Sequence, residues 1–321
     1  DVPFYTNKNV FEMKKLPKKL VILGGGPVGL ELGQGFSHFG SEVEVIDIAD
    51  RIFLKEDNEV APLMENVFRS EGIAFSLSSA IREVKKKGNN ISVLIERNGK
   101  IEEINGTDLL VSLGRVPSTA GIGLENAGVN VDDKRYVAVN RYLQTSVKNI
   151  YACGDAAGPF QFTHMAGYQA GVVLRNIVFP FKKAAVDYSA VPWTTYTRPE
   201  VSHVGYTEQS ARESGKFKDI VFVELKEMDR AQTDNDTTGF LKLILGRKNR
   251  IIGATLVGNK AGEIIPLAST AIRNRMKAAG FMTQIFSYPT EAEIFKFAGY
   301  AFAKRSFKPW MKGMIRKLLL R

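Results

Sequence analysis

At 321 residues the chain exceeds what a single hydrophobic core fills, so two or three domains are expected. With 44% hydrophobic and 24% charged residues, and no apolar run of about 18 residues, the composition excludes a disordered chain and a bundle of membrane spans. The net charge of +10 would suit a polyanionic partner, but the last eighteen residues hold seven basic side chains and no acid. The rest is only mildly basic, and no nucleic-acid partner is expected.

In chain order, Lys19–Leu23 reads as a buried strand that runs straight into Gly24-Gly25-Gly26-Pro27-Val28-Gly29. A helix is expected from Pro27 to Phe39, stopped by Gly40. Glu42–Asp47 reads as a second strand, Asp57–Glu71 as a second helix and Ile73–Leu77 as a third strand. This alternation argues for a parallel, doubly wound sheet. From Ile81 to Ile104 the turn residues Gly88-Asn89-Asn90 and Asn98-Gly99 split three short strands, an antiparallel meander inserted as the crossover. Asp108–Leu113 returns to the parallel sheet. Val137–Asn140 and Asn149–Ala152 read as short strands, Thr163–Phe179 as a helix and Pro180–Ser189 as a linker. From Val191 the pattern is α+β. Strands are expected near Thr194–Thr197, Val201–Thr207, Ile220–Glu224, Gly239–Leu245 and Ile251–Val257, and helices at Ala261–Ala278 and Glu291–Lys304. The fold class is thus α/β with an α+β C-terminal part.

The glycine loop follows a strand, opens a helix and is followed eighteen residues after Gly29 by Asp47, the context a dinucleotide site requires. Gly24 permits the tight turn, Gly26 the approach of a diphosphate to the backbone, and Gly29 the close packing of helix on strand. The free N–H groups and dipole of the helix that opens at Pro27-Val28 favour the anion. Asp47 is placed to accept hydrogen bonds from a ribose 2′-hydroxyl and to repel a 2′-phosphate, which favours NAD over NADP.

Among the other chemistry-bearing residues, Cys153 is the one cysteine, so no intramolecular disulfide and no thiol-rich metal site is available. A reducing, cytoplasmic compartment is expected. Cys153 ends an apolar strand and reads as a small buried hydrophobe. His38, His164 and His203 are far apart, and no metal site is expected; His38 reads as a helix-surface residue and His203 as a structural strand residue.

Thr145-Ser146-Val147 followed by Tyr151-Ala152-Cys153-Gly154-Asp155, together with the glycine loop, resembles the flavoprotein disulfide reductases, the class I pyridine nucleotide-disulfide oxidoreductases that include dihydrolipoamide dehydrogenase and mercuric reductase. The resemblance runs from Asn7 to about Lys304. It implies FAD and NAD as cofactors, hydride transfer from NADH to the flavin and on to a disulfide or other small-molecule acceptor, and a homodimer. It places Gly154 and Asp155 at the flavin ribitol and Phe162-Thr163-His164 at the flavin's pyrimidine edge. It puts Gly114, within Val111-Ser112-Leu113-Gly114-Arg115-Val116-Pro117, beside NAD, and Glu31 at the nicotinamide–flavin contact. The implied division is 1–17 with 133–187 as part of a FAD domain, 18–132 as the NAD domain and 188–306 as the interface domain.

Two departures stand out. The family's first glycine loop and Cys-x4-Cys pair are absent, so the chain is expected to be the C-terminal portion of a longer enzyme, or an NAD-binding fragment without activity. The family's His-Pro-Thr-x-x-Glu reads Tyr288-Pro289-Thr290-Glu291-Ala292-Glu293, with tyrosine, a poor base at neutral pH, in place of histidine and Glu293 as the matching acid. Residues 307–321 (FKPWMKGMIRKLLLR) form a basic tail with amphipathic spacing, for which weak contact with an anionic membrane surface competes with a solvated or dimer-packed end.

Overall fold

A computed structural model describes residues 2–306. One compact unit combines the described residues up to Leu113 with those from Pro192 onward, and a second runs Gly114–Val191. The C-terminal tail considered above lies outside the described residues.

The first unit begins with strand β1 (Lys19–Leu23), the glycine loop, helix α1 (Pro27–His38), β2 (Glu42–Ile46), α2 (Val60–Ser70) and β3 (Ile73–Ser76). Strand β1 pairs in parallel with both β2 and β7 (Asp108–Val111), giving the order β3-β2-β1-β7. The inserted meander is an antiparallel sheet of β4 (Ser79–Lys87), β5 (Asn90–Arg97) and β6 (Lys100–Gly106), turned at Gly88-Asn89 and Asn98-Gly99 as the glycine–asparagine pairs predict. Upstream, Tyr5 bridges to Leu110 and extends this edge of the parallel sheet.

After the second unit come β8 (Pro192–Thr195), β9 (Glu200–Gly205), α4 (Glu208–Glu213), β10 (Asp219–Glu224), α5 (Asp229–Thr233), β11 (Phe240–Leu245) and β12 (Ile251–Gly258). Their strands form an antiparallel sheet in the order β10-β11-β12-β9-β8. The helix expected over Ala261–Ala278 is two helices, α6 (Ala261–Ile264) and α7 (Pro266–Arg273), because Pro266 has no N–H and starts a helix more readily than it continues one. Helix α8 (Ile294–Ser306) follows a short 3-10 turn, Glu291–Glu293, capped reciprocally by Thr290 and Glu293.

Both faces of the parallel sheet are covered, which is why β1 is apolar and buried from Leu20 to Leu23. Leu20 and Ile22 join Val43, Val45 and Phe68 in one core, which also takes in Val201, Phe240 and Val257 of the antiparallel sheet. Val21 and Leu23 point the other way, onto Ile91, Val93 and Ile95 of the meander.

The second unit contains helix α3 (Thr163–Val178). The strands expected at Val137–Asn140 and Asn149–Ala152 are only isolated bridges, Val131 to Val137 and Gln144 to Tyr151. Short extended segments need long ladders to become strands, and these have one rung each. Side chains do much of the holding instead. Asn140 Oδ1 accepts from the backbone N–H groups of Tyr142 and Gln144, and Asn176 exchanges two bonds with the Ala184 backbone.

Candidate functional site

The glycine loop is shaped by three distinct requirements. Gly24 has φ +104°, and a Cβ there would lie 2.7 Å from the Ser112 carbonyl oxygen. A Cβ on Gly29 would lie 2.1 Å from the Gly24 carbonyl oxygen, so no other residue lets α1 start this close to β1. Gly26 is the opposite case: a Cβ would meet nothing within 4 Å, and the space above the helix start is open. Gly26 is also the N-cap, with no side-chain cap on the first turn of α1, and Pro27 takes the first helical position where its missing N–H costs nothing. The uncapped amides and the positive end of a twelve-residue helix therefore face open space, the environment an anion requires.

Asp47 closes the site from β2. Its Oδ2 accepts from Gly25 N at 2.6 Å and its Oδ1 from Ala49 N at 2.8 Å, so the carboxylate is fixed at the loop while each oxygen keeps a lone pair for a further donor. Ser112 Oγ is a stay that the sequence did not flag: it sits 2.9 Å from the Leu23 carbonyl oxygen and 2.8 Å from that of Gly24, tying the end of β7 to the loop.

Glu31, one turn into α1, accepts from Tyr196 N at 2.7 Å. One turn further, Gln34 accepts from Arg198 N and donates to the Arg198 carbonyl, both at 2.7 Å. The segment after β8 is thereby clamped along α1. The signal for Gln34 is a buried polar residue on the core face of an amphipathic helix.

In the second unit Gly154 has φ +68° within the turn Gly154–Ala156, and its N–H donates to Gln169 Oε1 at 2.6 Å. Gln169 is fully buried on the stripe Met165–Gln169–Val172–Asn176 of α3, a polar residue at core spacing, which is the one sign of it in the sequence. Asp155 is exposed, with Arg115 Nη1 4.0 Å away. Phe162 is the N-cap of α3, whose first turn again has no side-chain cap, and its ring stacks on that of His164 at 5.2 Å. Thr163 and His164 are exposed in that turn, and Gly114 has φ +126° with open space where a side chain would stand. Cys153, expected to be buried, is half-buried.

Tyr288 and Glu293 face different partners. The Tyr288 hydroxyl donates to Asp229 Oδ2 at 3.0 Å, and that bond holds its phenol above the usual tyrosine value. Glu293 is buried and accepts from Thr290 N in the capping box. His38 lies at the surface, 3.3 Å from Glu71, and His203 is fully buried in β9. Among the described residues, no group of three or more His, Cys, Asp or Glu could hold a metal, and no helix is long and apolar enough to cross a membrane.

Residues 1–170 match the pyridine nucleotide-disulphide oxidoreductase family, and residues 191–298 match the dimerisation domain of that family. The chain belongs to this family. Its members use FAD and NAD(P)H. Mercuric reductase of Staphylococcus aureus is 33% identical over 305 residues, which cover 95% of this chain and 56% of the relative. Dihydrolipoyl dehydrogenase of Chlamydia muridarum is 34% identical over 89% of this chain and 60% of its own length. Among solved structures, the HOCl-induced flavoprotein disulfide reductase RclA from Escherichia coli superimposes with a TM-score of 0.84 at 30% identity, over 92% of this chain and 67% of the other. The chain thus spans little more than half the length of the curated relatives it matches.

Proposed function

We propose that the chain is the NADH-binding and interface portion of an FAD-dependent oxidoreductase that passes electrons from NADH to a disulfide or another small-molecule acceptor. The observation that carries this reading is the contrast within one loop: Gly24 and Gly29 are closed by backbone, while Gly26 opens onto an uncapped helix start beside a tethered carboxylate. When bound, the nicotinamide and flavin supply the hydride and electron chemistry, and the protein supplies position.

Each residue then has a stated task. The Gly26, Pro27 and Val28 backbone bounds the diphosphate, and the α1 amides neutralise it. Asp47 accepts from the ribose hydroxyls and repels a 2′-phosphate. Glu31, fixed by Tyr196 N, presents a carboxylate at the nicotinamide end, and Gly114 leaves room for the ring. In the second unit Asp155 accepts from the ribitol, and the α3 start at Phe162-Thr163-His164 stabilises negative charge on the pyrimidine edge. Tyr288, kept protonated by Asp229, and Glu293 face the acceptor from the interface domain.

The dimerisation-domain match over residues 191–298 supports a homodimer; in this reading 188–306 is the interface domain, 18–132 the NAD domain, and 1–17 with 133–187 FAD-domain segments. Scarcity of thiols supports a cytoplasmic setting. Titrating the purified chain with NADH and NADPH by nucleotide fluorescence tests the reading: saturable NADH binding with weaker NADPH binding is expected, and no NADH binding overturns it.

A second reading is a dinucleotide-binding portion that catalyses nothing alone. It is supported by the second unit, where the flavin segments are held by isolated bridges and not by a sheet. A bound-flavin visible spectrum after purification separates the two, because a colourless chain that binds NADH fits only the second.

A further inference from the structure

The residues from Asp50 to Glu59 leave β2, pass the glycine loop and return at α2. One side of this loop packs beneath the glycine loop: Ile52 is buried in the core, and a Cβ on Gly25 would lie 3.5 Å from its Cγ2. The other side is buried on the antiparallel sheet. Trp193 Nε1 of β8 donates to Glu56 Oε1 at 2.6 Å, the Thr255 hydroxyl of β12 donates to Asp57 Oδ2 at 2.6 Å, and Glu208 N of α4 donates to Asp57 Oδ1 at 2.8 Å. Lys242 Nζ of β11 reaches Glu59 at 2.8 Å, Glu208 at 2.7 Å and Asp57 at 3.4 Å.

His203 stands at the centre. Its Nδ1 is 2.8 Å from Thr255 Oγ1 and its Nε2 is 3.2 Å from the Gly205 carbonyl oxygen. Glu56 Oε2 is buried without a hydrogen-bond partner, 3.8 Å from His203 Nδ1.

The protons available to the cluster fix the state of the ring. Thr255 has one hydroxyl proton and directs it to the Asp57 carboxylate, which only accepts. Thr255 Oγ1 therefore accepts from His203, and Nδ1 carries a proton. The Gly205 carbonyl also only accepts, so Nε2 carries one too. A neutral ring would set the bare Nε2 against that carbonyl, or leave the Thr255 and Asp57 oxygens facing each other with no proton between them. Charge points the same way: Glu56, Asp57, Glu59 and Glu208 surround this cluster, Lys242 and Arg212 are its bonded cations, and Lys55 adds a weaker attraction to Glu56.

Burial opposes this. Desolvation, the larger influence, and the Lys242 ammonium push the His203 ring down against the attraction of Asp57, and desolvation pushes the Glu56 carboxyl up. Moving the proton from the ring to Glu56, however, breaks a matched bond and gives Oε2 a hydrogen that has no acceptor. The doubly protonated ring is the one state that satisfies Thr255, Asp57 and the Gly205 carbonyl together, and this matched pattern carries the assignment against burial. We infer that His203 is a buried imidazolium paired with the Glu56 carboxylate, a latch that fixes the 51–59 loop to the antiparallel sheet and opens when the ring loses its proton to solvent. Any consequence for dinucleotide affinity rests on the function proposed above, whereas the protonation state does not.

The chain has three histidines and two tryptophans, so imidazole 15N and indole 1H–15N spectra of the 15N-labelled chain resolve His203 and Trp193. Both His203 nitrogens are expected to be protonated at neutral pH. On raising the pH, the ring and the Trp193 indole should titrate with one midpoint above the ordinary value of about 6.5. Glu56→Gln keeps the Trp193 acceptor and should lower that midpoint by at least one pH unit, a tenfold loss of proton affinity. A His203 with one bare nitrogen at pH 7 overturns the latch, as does an unmoved midpoint in a folded E56Q chain. The wild-type spectrum decides the protonation state even if the variant does not fold.

Discussion

The two candidate cofactor segments are built differently. At Gly24–Gly29 the backbone is squeezed between β1, α1 and the Ser112 carbonyl, with a hydrogen-bonded parallel sheet beneath it. At Gly154–His164 the turn hangs on one buried glutamine and a helix start, within a unit whose strands are single bridges. The first site gets its shape from close packing and tolerates no added atom at two positions. The second packs closely at one position, where a Cβ on Gly154 would lie 2.9 Å from Ala166 Cβ, and otherwise depends on individual polar contacts such as that of Gln169.

The largest effect should come from Gly29→Ala. Its methyl meets backbone rather than a flexible side chain, so a loss of about 3 kcal/mol, at the upper end for overpacking, is expected in chemical denaturation, together with loss of NADH binding. Gly26→Ala is the internal control: its Cβ meets open space, so unfolding should change by no more than about 0.5 kcal/mol, while NADH affinity falls at least about tenfold. If the two variants behave alike, the distinction between closed and open glycines is wrong.

Gln169→Leu probes the other region. It leaves the Gly154 N–H unpaired in a buried site, at a cost of about 1–3 kcal/mol. Hydrogen exchange should show the loss in residues 114–191 and leave the amides of β1 and α1 protected; uniform loss across both units would erase the contrast. Asp47→Ala should weaken NADH binding by about 1–2 kcal/mol and narrow the preference over NADPH, read by comparing the two dissociation constants.

The smallest effect is a pH dependence. The Lys242 hydrogen bond holds the Glu208 carboxyl below its usual value, so the stability it contributes is present above the ordinary carboxylate range and is lost as pH falls through the lowered value. A thermal unfolding series should therefore show Glu208→Gln losing its deficit relative to wild type in acid. A deficit that persists unchanged at low pH would mean that the ion pair contributes nothing.

Local sequence determined much of this protein. The strand–glycine–helix run and the Gly–Asn turns of the meander express themselves within a few residues, through backbone sterics and hydrophobic period. The glycine loop was legible because each glycine answers a short-range demand. What only the tertiary structure decided involves residues far apart in the chain. Ser112 returns to Gly24, Tyr196 to Glu31, and His203, readable as a structural strand residue, shares a buried network with Glu56 and Asp57. The failed strands at Val137–Asn140 and Asn149–Ala152 belong here too, because β structure depends on a partner and not on propensity alone. Periodicity reports which face is buried. It does not report what lies opposite, and hydrogen-bond partners and proton positions are set by what lies opposite.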